Sequence, residues 1–345
     1  MRIEHSSCLT CALRRSVRLS MSGHHWQASG AAGHRLFNIA FAIGLAHNHR
    51  MTVPDHWTFG DSTLQRVVES EVPLLSPFEI FGDCTQAHLD ANREWLVPRF
   101  QDATSGLLTI TIQSFLVRQR GLTILVDSCG GNDKERTRPH FHRQRGPWLD
   151  ALRATGVARE DVDIVLCSHL HVDHVGWNTR LENGRWVPTF PNARYLIARR
   201  EWDHWQAAGA AALTRTGDYI TDSVLPVFAA GQAELVGDGH AIASGISVEP
   251  APGHTPGQLM VRLGSGREQA ILSADLMHHP LQVRYPEWST RFCTDPAQAR
   301  ATRIAFFNEH AGSGRLVFPA HFPSPTGGRI ERDRQGFRFI FDGEV

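Results

Sequence analysis

The residues best suited to chemistry lie in one short run, Ser168-His169-Leu170-His171-Val172-Asp173-His174-Val175-Gly176. Three imidazoles and a carboxylate fall within six residues of one another. In an extended chain His169 and His171 project to the same side. A turn into a helix at Asp173 would direct that carboxylate and His174 toward a second point nearby. The spacing therefore predicts a site that serves two metal ions rather than one.

Three further candidate ligands stand in turns or where a strand is predicted to end. His254 lies in Gly253-His254-Thr255-Pro256-Gly257, Asp275 ends Ser273-Ala274-Asp275, and His321 follows the apolar run from Leu316 to Ala320. A rigid scaffold presents side chains at such positions. Each residue alone is equally well interpreted as a turn histidine, a helix cap or a loop residue. Their order after the first run favours one common site.

The composition of the chain supports a metal site and argues against nucleic acid or a membrane as partner. The chain has 20 histidines but only 3 tyrosines, and imidazole is the commonest protein ligand for transition metals. A histidine-rich surface loop is the alternative interpretation of the run at 169–174, but the apolar run Ile164 to Cys167 feeds directly into it. Lys plus Arg and Asp plus Glu both number 35, so no long-range field favours nucleic acid or an anionic membrane. We expect a small-molecule substrate and neither of those partners.

The N-terminal segment lacks the strand-like alternation of apolar and polar residues that begins after Met51. Residues 1–50 are predicted to be a poorly structured leader or extension, and 51–345 to be one folded domain. Arg14 and Arg15 weakly resemble a twin-arginine export signal, and Cys8-x-x-Cys11 has no second pair to complete a zinc site. No run reaches the roughly 20 apolar residues of a membrane span. A cytoplasmic location is expected, with export as the alternative.

Many short strands and few helices are predicted after Met51. The helices are Trp148–Thr155, closed by Gly156, and a segment from the cap Thr294-Asp295-Pro296 to His310, with Gly312 just beyond it. The predicted strands, taken from apolar or alternating runs between Gly and Pro residues, are 65–69, 107–112, Leu122–Val126, Ile164–Cys167, Tyr195–Ala198, Gly245–Glu249, Leu259–Leu263, Ala270–Leu272 and Leu316–Phe318.

The order of these motifs resembles the metallo-β-lactamase superfamily. His-x-His-x-Asp-His, Gly-His-Thr-Pro-Gly, Ala-Asp and Ala-His follow one another between about residue 60 and the C-terminus. The resemblance implies an α/β fold, an αββα sandwich of two mixed β-sheets flanked by helices. It implies two divalent metal ions, one held by His169, His171 and His254, the other by Asp173, His174 and His321, with Asp275 bridging both. Zinc suits this donor set, with iron, manganese and cobalt left open.

The same resemblance implies that residues 51–345 form a hydrolase domain of the metallo-β-lactamase fold. Two adjacent cations lower the pKa of a shared water toward neutrality and give a hydroxide nucleophile, which would cleave ester, lactone or phosphotriester bonds. Within the superfamily the chain is most similar to N-acyl homoserine lactone lactonases and methyl parathion hydrolase-like phosphotriesterases. Lactonases carry a tyrosine three residues after the bridging aspartate, where this chain has His278. We predict that Asp173 and Asp275, besides binding metal, carry the proton to the leaving group. We predict that His278 donates a hydrogen bond to the substrate oxygen.

Several alternatives stay open at this point. An iron-dependent oxidoreductase of the same superfamily, acting on oxygen or persulfides, is the competing function, and a homodimer is a further possibility. Asp127 resembles the family position that supports a ligand from behind, or is a turn-forming aspartate. The loop Gly131–Pro147, with Arg138, His140 and His142, is either a lid or an ordinary solvated loop. Aromatic side chains that either wall the pocket or belong to the core are Trp177, Trp288 and Phe292.

Overall fold

This computed structural model describes residues 56–209, 217–265 and 268–344, in which strands and helices are joined by turns and loops. In chain order the strands of the first part are β1 (His56–Phe59), β2 (Ser62–Leu75), β3 (Leu108–Gln119), β4 (Leu122–Val126), β5 (Ile164–Cys167), β6 (Thr179–Glu182), β7 (Arg185–Pro188), β8 (Arg194–Ala198) and β9 (Ala233–Val236). Those of the second part are β10 (Ala241–Ala243), β11 (Ile246–Pro250), β12 (Leu259–Ser265), β13 (Glu268–Ala274), β14 (Leu316–Pro319), β15 (Gly328–Asp333) and β16 (Gly336–Phe341).

Helices lie between these strands. They are α1 (Pro77–Ile80), α2 (Gln86–Leu96), α3 (Trp148–Ala154), α4 (Arg199–Ala208), α5 (Tyr219–Ser223), α6 (Leu225–Ala229), α7 (Leu281–Arg284) and α8 (Pro296–His310). The start of α8 has the predicted cap, because the Asp295 carboxylate accepts a hydrogen bond of 2.9 Å from the backbone N–H of Gln298 and Pro296 occupies the first turn.

The strands form two large mixed sheets. The first has the order β1-β2-β3-β4-β5-β8-β9, and the second β10-β11-β12-β13-β14-β15-β16. Pairing is parallel from β4 through β5 and β8 to β9, and between β13 and β14. One buried cluster joins residues of both sheets, among them Val126, Leu166, Val261, Leu272 and Phe318, as expected for two sheets packed face to face. The predicted α/β sandwich of two mixed sheets flanked by helices is confirmed.

The strand predictions succeed best where apolar runs are bounded by turn residues. Both β4 and β5 have the predicted bounds, and α8 ends at His310 as predicted. The expected helix after Asp173 is wrong: a turn is followed only by one 3-10 turn, Gly176–Asn178. The reason is that the backbone N–H groups of Gly176 and Trp177 donate to the carbonyls of Cys129 and Ser128, at 2.8 and 2.7 Å, and so are not available for an α-helix.

Some predictions concern residues outside those the structure describes. The leader at 1–50, the pair Cys8 and Cys11, and the arginines Arg14 and Arg15 all fall there. Within the described ranges, no helix combines the length and the apolar character that crossing a lipid bilayer requires.

Candidate metal centre

Four loops bring the seven predicted ligands together at one edge of the sandwich. The loop after β5 carries the run from His169 to His174, and the turn between β11 and β12 carries His254. Asp275 directly follows β13, and His321 follows β14. Because β5 belongs to the first sheet and β13 and β14 to the second, both sheets contribute to the site. The ligand assignment itself remains a prediction.

The first group of donors consists of three imidazoles. His171 Nδ1 lies 3.0 Å from His169 Nε2 and 2.9 Å from His254 Nε2. Asp275 Oδ2 lies 3.2 Å from His254 Nε2 and 3.7 Å from His169 Nε2. Nitrogen ligands bound to zinc at about 2.0–2.1 Å stand roughly 3.3 Å apart in a tetrahedral site, so these atoms are already near the spacing of a coordination shell.

The second group consists of Asp173, His174 and His321. Asp275 Oδ1 lies 3.3 Å from His174 Nε2 and 3.0 Å from His321 Nε2. The Asp173 oxygens lie 3.8 Å from each of these two imidazole nitrogens. Oδ2 of Asp275 also lies 3.2 Å from His321 Nε2. The Asp275 carboxylate therefore lies between the two groups and contacts both, which is the arrangement a bridging ligand requires.

Most of the histidines are oriented by a partner on the nitrogen that faces away from the centre. His169 Nδ1 lies 3.1 Å from Ser168 Oγ, and His321 Nδ1 lies 2.9 Å from the Thr111 carbonyl oxygen. His174 Nδ1 lies 2.9 Å from Asp127 Oδ2. Such contacts place the ring proton on the outer nitrogen and leave a lone pair on the inner one. The predicted supporting role of Asp127 agrees with this geometry.

Within the described part of the chain, two of the candidate ligand atoms that face the centre lack hydrogen-bond partners, as expected if divalent cations bind there. His174 Nε2 and Asp275 Oδ1 are buried and have no hydrogen-bond partner among the described residues, a condition that proteins avoid unless another species satisfies the atoms. Imidazole and carboxylate donors in these numbers suit zinc and related transition metals. The donor set therefore fits divalent metal binding.

Burial and the shared carboxylate set the charge of the centre. Burial lowers the pKa of His169 and of His171 well below the ordinary imidazole value. For His254, burial is outweighed by the Asp275 carboxylate, which raises the pKa to about 9. Burial would raise the pKa of Asp275, but the surrounding imidazoles outweigh it and hold that pKa well below its usual range. An ionised carboxylate thus lies at the middle of the cluster.

Left-handed backbone occurs at three non-glycine residues around the centre. Asp127 has a φ of 61°, Cys129 of 49° and Ala274 of 47°. This conformation is unfavourable for residues with a Cβ atom, and such residues concentrate at functional sites. At Ala274 it turns the chain out of β13 so that Asp275 faces the imidazoles.

His278 lies against this cluster. Its ring is buried, and its Nε2 atom is 3.1 Å from Asp275 Oδ2. Among the residues that the structure describes, neither ring nitrogen has a hydrogen-bond partner with suitable alignment. Burial outweighs the nearby Asp275 and lowers the pKa of His278 to about 4. The adjacent His279 is different, because its Nε2 atom lies 3.0 Å from the Phe100 carbonyl oxygen.

The three candidate pocket aromatics separate into two classes. Trp177 is buried and stacks on Trp148 with a ring-centroid distance of 5.6 Å, and Trp288 is buried in the same core cluster. Only Phe292 lies beside the centre and is partly exposed, with its ring centroid 6.2 Å from that of His278. Of the three candidates, Phe292 is therefore the one whose position agrees with a place in the pocket wall.

The candidate lid loop at 131–147 is fastened to the body of the domain at several points. Arg136 donates to both oxygens of the Asp222 carboxylate, at 2.6 and 2.8 Å, and the fully buried Lys134 ammonium donates to Thr179 Oγ1 at 2.6 Å. Arg138 lies over the ring of Phe292, 5.1 Å from its centroid. The loop is thus held in place by Lys134 and Arg136, and its Arg138 lies near the centre.

Sequence reasoning missed two acidic residues behind the centre. Glu201 in α4 is fully buried, and its carboxylate accepts hydrogen bonds from the backbone of both loops that carry the first imidazole group. Glu69 in β2 accepts from the N–H groups of Gly130 and Gly131 and from the Trp177 indole. Apart from Trp205, which lies four residues after Glu201, their partners are distant in sequence and mostly backbone atoms, so no local pattern marks either residue.

Comparison with known proteins gives a family and a set of similar folds. The family model of the metallo-beta-lactamase superfamily matches residues 110–321. An N-acyl homoserine lactonase of a Bacillus species is 23% identical over 124 residues, which are 36% of this chain and 42% of that protein. Metallo-beta-lactamase domain-containing protein 1 of Xenopus laevis is 26% identical over 211 residues, 59% of this chain and 68% of that protein.

Solved structures agree with the fold. AidC, a dizinc quorum-quenching lactonase solved with its product N-hexanoyl-L-homoserine, has a TM-score of 0.70 at 22% identity, covering 85% of this chain and 98% of that chain. The hydrolase AbOPH has a TM-score of 0.71 at 24% identity, with the same coverage. The match to the Bacillus lactonase spans less than half of that protein's length, and the solved structures establish the fold rather than the substrate.

Proposed function

This chain belongs to the metallo-beta-lactamase superfamily, and on that premise we propose that it is a metal-dependent hydrolase with a dinuclear centre that cleaves ester, lactone or phosphotriester bonds of a small molecule. The observation that carries the proposal is the position of Asp275, whose carboxylate lies between two separate groups of imidazole and carboxylate donors and contacts both. The lactonase and hydrolase identities of similar proteins support the same class of reaction.

This geometry supports the proposed assignment of residues to the cations. His169, His171 and His254 would hold one cation, Asp173, His174 and His321 the other, and Asp275 both. When bound, such cations supply Lewis acidity and a hydroxide nucleophile at neutral pH. Zinc suits the donors best. Among the two carboxylates, Asp173 has the more accessible side chain, at 19% exposure against 3% for Asp275, and it is the one placed to pass a proton to the leaving group.

Residues beside the cations complete the proposed site. A neutral His278 ring has one N–H group to donate, and the substrate oxygen that gains negative charge is its proposed acceptor. Phe292 supplies an apolar surface for an acyl or aryl group. The balanced charge of the chain, 35 basic and 35 acidic residues, supports a small-molecule substrate rather than nucleic acid.

A hydrolysis screen tests the proposal. The purified chain, loaded with excess Zn²⁺, is assayed against acyl homoserine lactones, aryl esters and aryl phosphotriesters, and its metal content is measured in parallel. We expect two metal ions per chain and turnover of at least one class, with no turnover by His169→Ala or Asp275→Ala. His56→Ala, which removes an exposed histidine of β1, should behave as the unmodified protein does.

Two results would contradict the proposal. One is a stoichiometry of one metal ion or fewer after loading with excess zinc, together with unchanged turnover by Asp275→Ala. The other is a protein isolated mainly with redox-active iron that consumes oxygen in the presence of persulfides and hydrolyses none of the three classes, which would favour an oxidoreductase of the same superfamily.

A further inference from the structure

We propose that Glu201 is a positioning residue that holds the two loops of the first imidazole group at the separation a cation requires. The inference rests on the proposed function, in which His169, His171 and His254 share one cation. It concerns a residue that contributes no ligand atom and lies in α4, outside all four ligand loops.

The contacts of the Glu201 carboxylate join these loops directly. Oε1 accepts a hydrogen bond of 2.9 Å from the backbone N–H of Leu170, the residue between His169 and His171. Oε2 accepts one of 3.0 Å from the backbone N–H of Gly257, three residues after His254. A single side chain thus spans the two segments that carry these three imidazoles.

A third donor fixes the carboxylate and reaches the same imidazole group. The indole N–H of Trp205, one turn further along α4, donates to Glu201 Oε1 at 2.8 Å. The Trp205 ring in turn packs edge-on against His171, with a centroid distance of 5.7 Å. The backbones of Gly257 and α4 approach each other closely, since a Cβ atom on Gly257 would lie 2.2 Å from the Glu201 backbone nitrogen.

The energetics favour a specific role over ordinary packing. Glu201 is 0% exposed, and among the described residues no lysine or arginine forms an ion pair with it. A buried carboxylate is costly unless its oxygens are fully hydrogen-bonded, and here three N–H groups satisfy them. Outer residues that orient metal ligands in this way typically change metal affinity by about 10–100-fold when they are replaced.

Glu201→Gln is the decisive variant because glutamine has one acceptor oxygen. Whichever way the amide is turned, its NH₂ group faces at least one of the three N–H donors, and that hydrogen bond is lost. The volume hardly changes. We expect the loop of His254 or the loop of His169 and His171 to lose its fixed position, so that the first cation binds about 10–100-fold more weakly while the second is held as before.

The experiment is a Co²⁺ titration of the full chain after removal of bound metal, followed by visible absorption and by competition with a chelator. His254→Ala and His321→Ala give reference spectra for proteins with a damaged first or second group. At limiting Co²⁺, we expect Glu201→Gln to give the spectrum of His254→Ala. Glu94→Gln, which changes an exposed glutamate of α2, should titrate as the unmodified chain does.

Trp205→Phe keeps the test informative where Glu201→Gln fails to fold, since it removes one N–H donor and retains an aromatic ring. A fall of about 2- to 10-fold in affinity for the first Co²⁺ is expected, in line with the loss of one hydrogen bond. Unaltered affinity for both ions in folded Glu201→Gln and Trp205→Phe, or equal weakening of both, would overturn the inference and leave the proposed function standing. Failure of the unmodified chain to bind Co²⁺ would instead overturn the proposed function.

Discussion

His278 differs from the other histidines of the centre in having no hydrogen-bond partner on either ring nitrogen among the described residues. Its backbone is nevertheless fixed, because its N–H donates to Gln282 Oε1 at 2.7 Å. The ring lies parallel to that of His321, with centroids 5.4 Å apart. A buried imidazole whose nitrogens lack an aligned hydrogen bond costs stability, which favours a role in function over a role in packing.

We predict that His278→Ala lowers the catalytic rate on the best substrate by about 10²-fold, as expected for the loss of a donor to a developing oxyanion. His278→Tyr should retain more lactone hydrolysis than His278→Ala, because a phenol also donates one hydrogen bond. Steady-state kinetics on matched, zinc-loaded proteins give the answer.

Metal content distinguishes this role from a ligand role. His278 also lies close enough to Asp275 and His321 to share a cation with them. If His278→Ala loses bound zinc, the residue acts as a ligand and the donor role is wrong. Equal kinetics for the original, alanine and tyrosine proteins would place His278 outside the chemistry.

Seven candidate ligands and the supporting contact of Asp127 were predicted from the sequence, whereas Glu201 and Glu69 were missed. His169 to His174 form a dense local pattern, and His254, Asp275 and His321 each follow a predictable strand or turn. Glu201 bonds to backbone groups 31 and 56 residues away. Backbone N–H groups are the same at every residue, so such a contact leaves no trace in residue types and depends on the folded arrangement alone.

Among the elements, the two loops at the first-sheet side of the centre behave as one unit. Ser128 donates from its backbone to the His174 carbonyl oxygen at 2.7 Å, and Gly176 donates to that of Cys129 at 2.8 Å. These bonds fix the direction in which Asp173 and His174 leave β5. The approach is so close that a Cβ atom on Gly176 would lie 1.9 Å from the Gly130 carbonyl oxygen.

Gly176→Ala is therefore predicted to lower the free energy of unfolding by about 3 kcal/mol or more, because a clash with rigid backbone cannot be relieved by a rotamer change. Denaturant unfolding of zinc-loaded protein measures the change. The matched control is Gly146→Ala, since a Cβ atom there meets nothing within 4 Å. Similar stabilities for the two variants would contradict the close approach of the loops.

A further prediction concerns the ion pair that joins α7 to β15. Arg284 donates to both carboxylate oxygens of Asp333, at 3.0 and 2.9 Å, and hydrogen bonding from Arg284 lowers the pKa of Asp333. A folded-state pKa below the unfolded value adds stability above the unfolded value, roughly pH 4, which is lost as the pH falls through the folded-state pKa.

Asp333→Asn should accordingly lower the free energy of unfolding at pH 7 by up to about 1 kcal/mol, a small value because the pair is partly exposed and screened. The difference from the original protein should shrink steadily below pH 4. Denaturant unfolding at pH 7 and at several acidic pH values measures it. A difference that stays constant over this range would show that the ion pair does not contribute.

Strands and helices were predictable from the sequence where their buried residues form a short apolar run. Ile164–Cys167 is buried at every residue and was predicted with both ends correct. Helix α4 was missed because Arg199–Ala208 is polar and its buried positions include the charged Glu201. The 3-10 turn at Gly176 was predicted as a longer helix, because the competing backbone partners, Ser128 and Cys129, lie in a different loop.

For the whole molecule, the candidate site occupies a limited part of the chain. All seven predicted ligands lie between His169 and His321, and the buried clusters described here are built from residues 59–341. We propose that 51–345 is the hydrolase domain, and we predict that deleting residues 1–50 leaves zinc-dependent hydrolysis largely intact. Kinetics and light scattering of both forms test this. Loss of activity, or a change in oligomeric state, would assign residues 1–50 a role in the domain or in a homodimer.

The last prediction follows from the way in which the centre joins the two sheets. The run from His169 to His174 leaves the first sheet, whereas Asp275 and His321 leave the second. The two sheets meet through apolar packing and through hydrogen bonds such as that from Gln113 Nε2 to the Ala320 carbonyl oxygen at 3.0 Å, and a bound cation would add a further cross-link between them. An ion that binds only the folded state adds about 2.7 kcal/mol to the free energy of unfolding at 100 times its dissociation constant.

Removal of metal by a chelator should therefore lower the melting temperature, and added zinc should restore it. Asp275→Asn should lose most of the zinc-dependent increase, because its oxygens face both donor groups, whereas His56→Ala should keep all of it. Calorimetry at fixed pH, with and without zinc, provides the measurement. A melting temperature of the unmodified protein that does not depend on zinc would mean that the two sheets are not linked through a cation, and the dinuclear centre would then be the wrong interpretation of these seven residues.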